Sequence, residues 1–207
     1  RDGAGRGRRQ GWFGRGQGGG GIHAALGLGD GPVVGHVGRF SEEKNHRFLL
    51  DVFGELLRFR PGARLVLIGD GALRPGIEGR AAEGGLADYV LFLGDRKDVP
   101  DLYQAMDALV LPSFFEGLPM VGVEAQCAGL PMICSDRVPD EVAIGDCEFL
   151  PLEAPLSRWA TRVAQAIEHG RDLGRRVQGA TLTRIAGFDI TREADRLAHR
   201  YRDLVGR

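Results

Sequence analysis

The feature that most constrains the fold of this chain is a series of short, uninterrupted apolar runs. There are five, each bounded by Gly, Pro, Ser or Asp, at 32–38, 63–69, 89–94, 108–113 and 130–135. Apolar runs of this length, without polar alternation, are typical of strands that are covered on both faces. They predict the strands of a buried parallel β-sheet.

Helical periodicity fills the gaps between these runs. One gap carries a stripe at helical spacing, made by Phe48, Leu49, Val52, Phe53, Leu56 and Leu57. That helix should end before Pro61, because the residue preceding a proline disfavours helical backbone. A short helix is predicted after Asp98, with Pro100 in its first turn. The alternation predicts an α/β fold: a Rossmann-like, doubly wound parallel sheet with right-handed crossovers and helices on both faces.

The flanks of this core divide the chain further. The predicted segments are a low-complexity tail (1–21), a Rossmann-like domain (22–170) and C-terminal helices (171–207). The Gly/Arg-rich tail has little to bury and is predicted to be disordered, although its composition would also suit an RNA-binding arm. Its Gly16-x-Gly18-x-x-Gly21 pattern lacks the preceding strand that a dinucleotide site requires. The C-terminal helices, one with Asp189 as N-cap, are expected to pack on the domain or on a missing N-terminal domain.

The net charge, the cysteines and the lengths of the apolar runs exclude several classes of protein. A net charge of −1 provides no field for nucleic acid or an anionic membrane. The three cysteines show no metal-ligand spacing and are expected to be reduced, buried thiols of a cytosolic protein. No apolar run approaches the roughly 18 residues needed to cross a bilayer. The chain has no initiator Met, which favours a fragment.

Ligands of an open parallel sheet bind beyond the carboxyl ends of its strands. Polar or flexible residues follow all five predicted strands at this edge, with Ser135 and Asp136 after the fifth. The candidate site residues follow the first four. They are Gly38, Arg39 and Lys44 after the first strand, Asp70 after the second, Asp95 and Arg96 after the third, and Glu116 after the fourth. The functional site is therefore predicted here, and the site prediction includes no metal ligand.

The segment after the fourth strand predicts an anion site. Pro119 suits an early helix position, which leaves the amides of Gly117–Val121 at a positive helix N-terminus. Arg39 and Lys44 would bring mobile positive charge to the same place. A diphosphate would satisfy all of these groups.

Two glutamates, Glu116 and Glu124, flank this predicted helix N-terminus. Glu116 should face the ligand, and Glu124, two turns along, can accept two hydrogen bonds from a ribose. The alternative is that Glu116 only complements the helix dipole and that Glu124 is a solvated flank residue. The upstream strand, the Gly-Leu-Pro insert and the two cations favour the ligand-binding interpretation.

Taken together, "GHVGRFSEEKNH", "LVLIGDG" and "VLFLGDRKDVPDLYQAMDALVLPSFFEGLPMVGVEAQCAGLPMICSD" resemble the C-terminal, nucleotide-sugar-binding half of family 4 glycosyltransferases of GT-B architecture. The resemblance runs from about Leu26 to about Ile167 and is nearest to the bacterial exopolysaccharide and capsule type. It implies a UDP-sugar donor, a glycan or lipid-linked acceptor in polysaccharide biosynthesis, and a cytoplasmic location at the inner face of the membrane.

The resemblance also implies residue roles. Three residues are predicted to be catalytic, namely Arg39 and Lys44, which would hold the diphosphate, and Glu116, which would lie near the donor sugar. Glu124 would bind the ribose. Further donor-binding positions are predicted at Gly38, Asp70, Asp95, Arg96, Gly117, Leu118, Pro119 and Met120. The resemblance implies that transfer retains the anomeric configuration. No metal or other cofactor is expected, because no Asp-x-Asp pair occurs in the sequence.

This sequence departs from the family pattern in two ways, and these departures leave other functions open. The acceptor-binding half of the family is missing, so the chain could be a non-catalytic binding module; an epimerase of the same shape and an NAD-type oxidoreductase are further candidates. Gly122 also loosens the helix that carries Glu124.

Two histidines and two cysteines could also react, and most of them are predicted to have structural roles. His36 is predicted to be a core or edge histidine, and His46 is left with either a core role or one near the donor. Cys127 and Cys134 are predicted to be core residues, because no nearby group would lower a thiol pKa.

Overall fold

The structure, a computed structural model, describes residues 18–205. One six-stranded sheet forms its centre, and every paired strand in it is parallel. The strands are β1 (Val33–Val37), β2 (Arg64–Ile68), β3 (Val90–Gly94), β4 (Ala108–Leu111), β5 (Met132–Ser135) and β6 (Cys147–Leu150). The five predicted strands are confirmed.

The sixth strand, β6, was not predicted. Its sequence, CEFL, contains the charged Glu148, and three of its four residues are only half-buried at the edge of the sheet. An edge strand of this kind lacks the continuous apolar run on which the sequence prediction depended.

Helices cover the sheet. They are α1 (Gly18–Leu26), α2 (His46–Leu57), α3 (Arg74–Glu83), α4 (Val99–Leu102), α5 (Met120–Cys127), α6 (Leu156–Arg171), α7 (Leu173–Arg176), α8 (Gly179–Ile185) and α9 (Ile190–Val205). Three 3-10 turns, at Glu42–Lys44, Tyr103–Ala105 and Asp140–Val142, complete the regular structure of the described residues.

Each face of the sheet has its own core. On one face, strand residues such as Leu65 and Val110 pack with α2, α3 and α6, where Trp159 is fully buried. On the other, residues such as Val66 and Leu111 pack with α1, α4 and α5. Successive strand residues point to opposite faces, so a continuous apolar run supplies both cores. This confirms the doubly wound Rossmann-like fold.

Several boundaries can be compared with the predictions. Residues 1–17 of the predicted tail lie outside the described residues, and 18–21 belong to α1 rather than to an irregular segment. α2 ends at Leu57, before Pro61, as predicted. Asp189 caps α9, because its Oδ1 accepts from the N–H groups of Thr191 and Arg192 at 3.1 and 3.4 Å. Within 18–205 no helix is both long enough and apolar enough to span a membrane.

The cysteines are free thiols, but only Cys134 is fully buried; Cys127 and Cys147 are half-buried. The Sγ atoms of Cys134 and Cys147 lie 3.7 Å apart across neighbouring strands. Burial raises the pKa of the Cys127 thiol, which agrees with a packing role rather than a nucleophilic one.

The end of α6 packs closely against the backbone just ahead of β4, and this contact leads to a prediction about stability. A Cβ on Gly170, near the end of α6, would lie 1.7 Å from the backbone oxygen of Asp107, just ahead of β4. Gly170→Ala is therefore expected to lower the free energy of unfolding by about 2 kcal/mol or more, because the helix must shift away from the strand. Urea unfolding measures this.

Gly54→Ala is the matched control. Gly54 lies inside α2, and a Cβ there meets nothing within 4 Å. Alanine is expected to raise the free energy of unfolding by roughly 0.5–1 kcal/mol. Equal effects of the two substitutions would contradict the close approach of α6 to β4.

Candidate functional site

The sheet reverses its direction of growth between β1 and β4. The strand order is β3-β2-β1-β4-β5-β6, so β1 is followed in the chain by β2 on one side and has β4 on its other side. The crossovers on the two sides diverge here, and a crevice opens beyond the carboxyl ends of β1 and β4. The loops that follow these two strands contain Lys44 and Glu116.

The loop after β1 is shaped by a left-handed residue. Asn45, with φ 54° and ψ 45°, ends the 3-10 turn Glu42–Lys44 and precedes α2. Asn tolerates this backbone conformation better than most residues. The sharp change of direction at Asn45 lets Lys44 extend across the crevice, while His46, two residues after Lys44, has its ring in the core.

Lys44 and Glu116 form an ion pair across the crevice. Lys44 Nζ lies 2.6 Å from Glu116 Oε1 and 2.8 Å from Oε2. Their side chains are only 16% and 9% exposed, so solvent screens the pair less than it would at the surface. The structure therefore brings together two of the three predicted catalytic residues.

Serine side chains hold the Glu116 loop in place. Ser113 Oγ donates to Glu116 Oε1 at 2.7 Å, and Ser135 Oγ donates to the backbone oxygen of Ser113. Both serines are fully buried. The N–H of Phe114 donates to the backbone oxygen of Glu43 at 2.8 Å, which ties the loop after β4 to the loop after β1.

The helix after Glu116 begins one residue later than predicted. Pro119 is its N-cap, α5 starts at Met120, and Gly117 and Leu118 lie in the preceding bend. Among the described residues, the amides of Gly117, Leu118, Met120 and Val121 make no backbone hydrogen bond. These free donors at the start of α5 are arranged as an anion site requires.

Glu124 lies on the second turn of α5 and is half-buried. Its Oε2 accepts a hydrogen bond from the hydroxyl of Tyr103 at 3.2 Å. Glu124 is thus held by a core residue rather than left as a freely solvated flank residue.

The third of these predicted residues, Arg39, is exposed directly after Gly38. Within 18–205 its guanidinium has no ion pair within 4.0 Å. Gly38 allows close packing of the loop, since a Cβ there would lie 3.3 Å from Lys44 Cδ. Arg39 therefore remains available to an anionic ligand.

Asp70, Asp95 and Arg96 lie farther from the Lys44–Glu116 pair. Asp70 follows β2 and accepts from the N–H of Gly71 at 2.7 Å and from Arg74 Nη1 at 3.1 Å. Asp95 and Arg96 follow the edge strand β3, two strands from β1 and so about 10 Å away. Arg96 makes a bidentate pair with Asp98, at 2.8 and 2.6 Å.

Two buried histidines lie beneath the loop after β1. His36 and His46 meet edge to face at 4.6 Å, and Phe40 stacks on His46 at 4.1 Å. His36 Nδ1 lies 2.8 Å from the backbone oxygen of Val110, whereas His36 Nε2 and both ring nitrogens of His46 have no hydrogen-bond partner among the described residues. Burial is the main cause that lowers the pKa of His36 to about 4 and that of His46 to about 2. His46 is thus a core residue beneath the site, which decides between its two predicted roles.

Sequence reasoning missed the supporting residues of the site. Ser113, Ser135 and Tyr103 carry common residue types inside predicted strands and helices, and their contacts cross more than one element. The local signal for the two serines was their position, because Ser113 and Ser135 end the fourth and fifth predicted strands. In the described part of the chain, no group of three His, Cys, Asp or Glu side chains is arranged to hold a metal ion.

The strand order defines a Rossmann-like domain of the kind found in glycosyltransferase structures of GT-B architecture. The chain belongs to the family described as Glycosyl transferases group 1, whose pattern matches residues 31–169. This confirms the resemblance found in the sequence.

Among curated proteins, the chain is similar to the putative glycosyltransferase EpsF of Bacillus subtilis, at 43% identity over 141 residues, covering 67% of this chain and 37% of EpsF. It is also similar to the Vi polysaccharide biosynthesis protein VipC/TviE of Salmonella typhi, at 40% identity over 101 residues, covering 49% of this chain and 18% of that protein. The chain thus spans well under half the length of these two relatives.

Among solved structures, Anabaena Alr3699/HepE in complex with UDP superposes with a TM-score of 0.77 and 22% identity. The match covers 93% of this chain and 54% of HepE. At this identity the similarity establishes the fold.

The two buried histidines predict a loss of stability in acid. Both fold as neutral rings, and the unfolded chain binds more protons than the folded one below about pH 6.5. The free energy of unfolding should fall as the pH drops from about 6.5 towards 4, by about 1.4 kcal/mol per pH unit for each histidine. Urea unfolding at a series of pH values measures this slope.

His46→Phe should remove one of the two contributions while keeping an aromatic ring against Phe40. The slope below about pH 6.5 should then be roughly halved. His199→Phe makes the same change on the exposed surface of α9 and is the control. An unaltered slope in His46→Phe would show that this ring takes up its proton in the folded protein as easily as in the unfolded chain.

Proposed function

We propose that this chain is the donor-binding half of a retaining, metal-independent glycosyltransferase that takes a UDP-sugar. One observation carries the proposal: a shielded Lys44–Glu116 pair spans the switch point, directly before the unbonded amides of α5. A basic group, an acidic group and free N–H donors meet where an α/β sheet binds its ligand.

The diphosphate is the part of the donor that best fits these groups. Lys44 offers a primary ammonium, Arg39 offers an unpaired guanidinium, and the start of α5 offers N–H groups and the positive end of a helix dipole. Together they would oppose the two negative charges of a nucleoside diphosphate ester.

Binding of the diphosphate would redistribute the hydrogen bonds of the pair. Lys44 has three N–H donors, and Glu116 occupies only one side of the ammonium, so phosphate oxygens compete with the carboxylate for it. A Glu116 carboxylate released in part from Lys44 stays anchored by Ser113 and can accept hydroxyl groups of the donor sugar. Asp70, beyond the neighbouring strand β2, would reach the same sugar.

The nucleoside of the donor would lie towards Glu124 and the loop of Asp95 and Arg96, at the carboxyl edge of the sheet. Glu124 would accept the ribose hydroxyls, and the loop of Asp95 and Arg96 would flank the base at the end of β3. A bound UDP-sugar would therefore extend along the carboxyl edge of the sheet.

The same groups would stabilise the transition state. Cleavage of the anomeric C–O bond sends negative charge onto the β-phosphate, and fixed donors near that charge lower the barrier. Lys44, Arg39 and the amides of α5 would supply this stabilisation from the protein alone, which supports the metal-independent mechanism. Retention of configuration is an expectation from the family resemblance.

An acceptor-binding domain would complete the enzyme. The chain corresponds to 37% of EpsF and 54% of HepE, and α9 leaves Ile190, Leu197 and Tyr201 exposed, at 82%, 56% and 61%. We propose that this apolar side of α9 packs on such a domain. The domain would bring a glycan or lipid-linked acceptor to the crevice from the cytoplasmic side of a membrane.

A non-catalytic donor-binding module is the second candidate. The observation that favours it is that the matched region corresponds to 37% of EpsF, and donor binding is the part of the activity that such a region could carry by itself. Both candidates bind the donor, so binding tests the shared part of the proposal.

Loss of either cation should weaken UDP binding. Lys44→Met keeps the aliphatic stem that packs beside Gly38 but removes the charge, and Arg39→Ala removes the exposed guanidinium. Each is expected to raise the UDP dissociation constant by about 10- to 100-fold, the value of a charged hydrogen bond. Isothermal titration calorimetry measures it, with uridine as the ligand whose affinity should not change.

Arg58→Ala is the control for the loss of one positive charge. Arg58 is exposed, follows α2 at the opposite edge of the sheet and, within residues 18–205, forms its ion pair with Glu55. Its substitution should leave UDP affinity unchanged. Unchanged affinity in both Lys44→Met and Arg39→Ala would contradict the assignment of the diphosphate site.

UDP affinity should also be equal in Mg²⁺ and in EDTA. The reason is that the proposed diphosphate contacts all come from protein donors. Calorimetric titration in the two buffers compares the affinities directly. Binding that requires Mg²⁺ would overturn the metal-independent part of the proposal and leave the site itself standing.

A further inference from the structure

Tyr103 is a buried aromatic residue that contacts α5 from beneath. It lies in the 3-10 turn after α4, and its side chain is fully buried. Its hydroxyl lies 3.2 Å from Glu124 Oε2 and 3.3 Å from the backbone oxygen of Val121. We propose that Tyr103 is a positioning residue that orients Glu124 towards the ribose of the bound nucleotide. This inference rests on the proposed function.

The turn that carries Tyr103 is itself fixed. The buried guanidinium of Arg176 donates from Nη2 to the backbone oxygen of Tyr103 at 2.9 Å and from Nη1 to that of Met106 at 2.6 Å. Both ends of the turn are thus held by one planar group. The phenolic oxygen is therefore a fixed point against which a mobile side chain can be oriented.

Glu124 needs such a fixed point. A glutamate has three side-chain torsions, and ordering them at the moment of binding costs conformational entropy. A hydrogen bond from Tyr103 to Oε2 restricts the carboxylate before any ligand arrives.

The remaining lone pairs match a ribose. An ionised carboxylate accepts at about four sites on its two oxygens, and Tyr103 uses one of them. The free sites on both oxygens can accept two adjacent hydroxyl groups, as the 2′- and 3′-hydroxyls of a ribose are. Tyr103 would thereby set the preference for a ribonucleotide without touching it.

The phenol keeps its proton for this task. Burial, and then the charge of Glu124, raise the pKa of Tyr103. The hydroxyl is thus a donor to the carboxylate throughout the neutral range. This agrees with the geometry, on which the proposal depends.

The test measures ribose preference rather than affinity alone. The dissociation constants of UDP, 2′-deoxy-UDP and 3′-deoxy-UDP are compared for the wild-type chain and for Tyr103→Phe. The wild type is expected to prefer UDP by about tenfold over each deoxy ligand, and Tyr103→Phe to reduce this to about threefold or less with little change for the deoxy ligands. A uniform loss for all three ligands, with the preference intact, would overturn the inference and indicate a structural role only.

Two further variants sharpen this result. Glu124→Gln should abolish the preference, and adding Tyr103→Phe to it should change the preference no further. Tyr89→Phe is the control. Tyr89 directly precedes β3 and packs with Arg64, and loss of its hydroxyl should leave the ribose preference at its wild-type value. A further fall in preference in the double variant would show that Tyr103 acts by a route other than Glu124.

A spectroscopic measurement tests the same inference if the Tyr103→Phe variant fails to fold. The three tyrosines are replaced by 3-fluorotyrosine, and the Tyr103 fluorine resonance is identified with Tyr89→Phe and Tyr201→Phe. It should move more on addition of UDP than of 2′,3′-dideoxy-UDP, and equal shifts would overturn the inference. Failure of the wild type to bind UDP at all would instead overturn the proposed function.

Discussion

The Lys44–Glu116 pair is the interaction on which the site depends. It links the loops that follow β1 and β4, the two strands between which the sheet reverses its order. Removing both side chains from most of their solvent is unfavourable, and a shielded ion pair keeps its place only when its other hydrogen bonds are satisfied. Ser113 satisfies one carboxylate oxygen, and the bond from Phe114 to Glu43 holds the two backbones together. The crevice is thus prepared before a ligand enters.

The layer beneath this pair combines satisfied and unsatisfied polar groups. Ser135 and Tyr103 donate hydrogen bonds that place the loop after β4 and the carboxylate of α5. His36 and His46, by contrast, bury ring nitrogens without partners, which costs stability. Proteins concentrate such local conflicts near functional sites, where positioning matters more than the most stable packing. The neutral rings also add no charge next to Lys44.

The fold was largely predictable because its signals are local. Five strands and the ends of α2 follow from apolar runs and from Pro61. The runs of the inner strands supply both cores, whereas the edge strand β3 keeps its apolar run although it is mostly half-buried. β6 could not be predicted in the same way, because Glu148 interrupts its short apolar sequence. The grouping of Lys44 with Glu116 was also predictable, because parallel strands place their carboxyl ends at one edge. The distance of Asp95 and Arg96 from that pair was not, because it depends on the order of strands across the sheet.

By itself, the sequence determined the α/β class, the edge of the sheet that holds the site, and the family to which the chain belongs. These properties follow from periodicity and from motifs within short windows of the chain. Only the tertiary structure decided that Lys44 and Glu116 pair, that His46 lies in the core rather than in the crevice, and that Tyr103 holds Glu124. Each of these depends on side chains from different elements meeting, and the packing of helices on the sheet sets those distances.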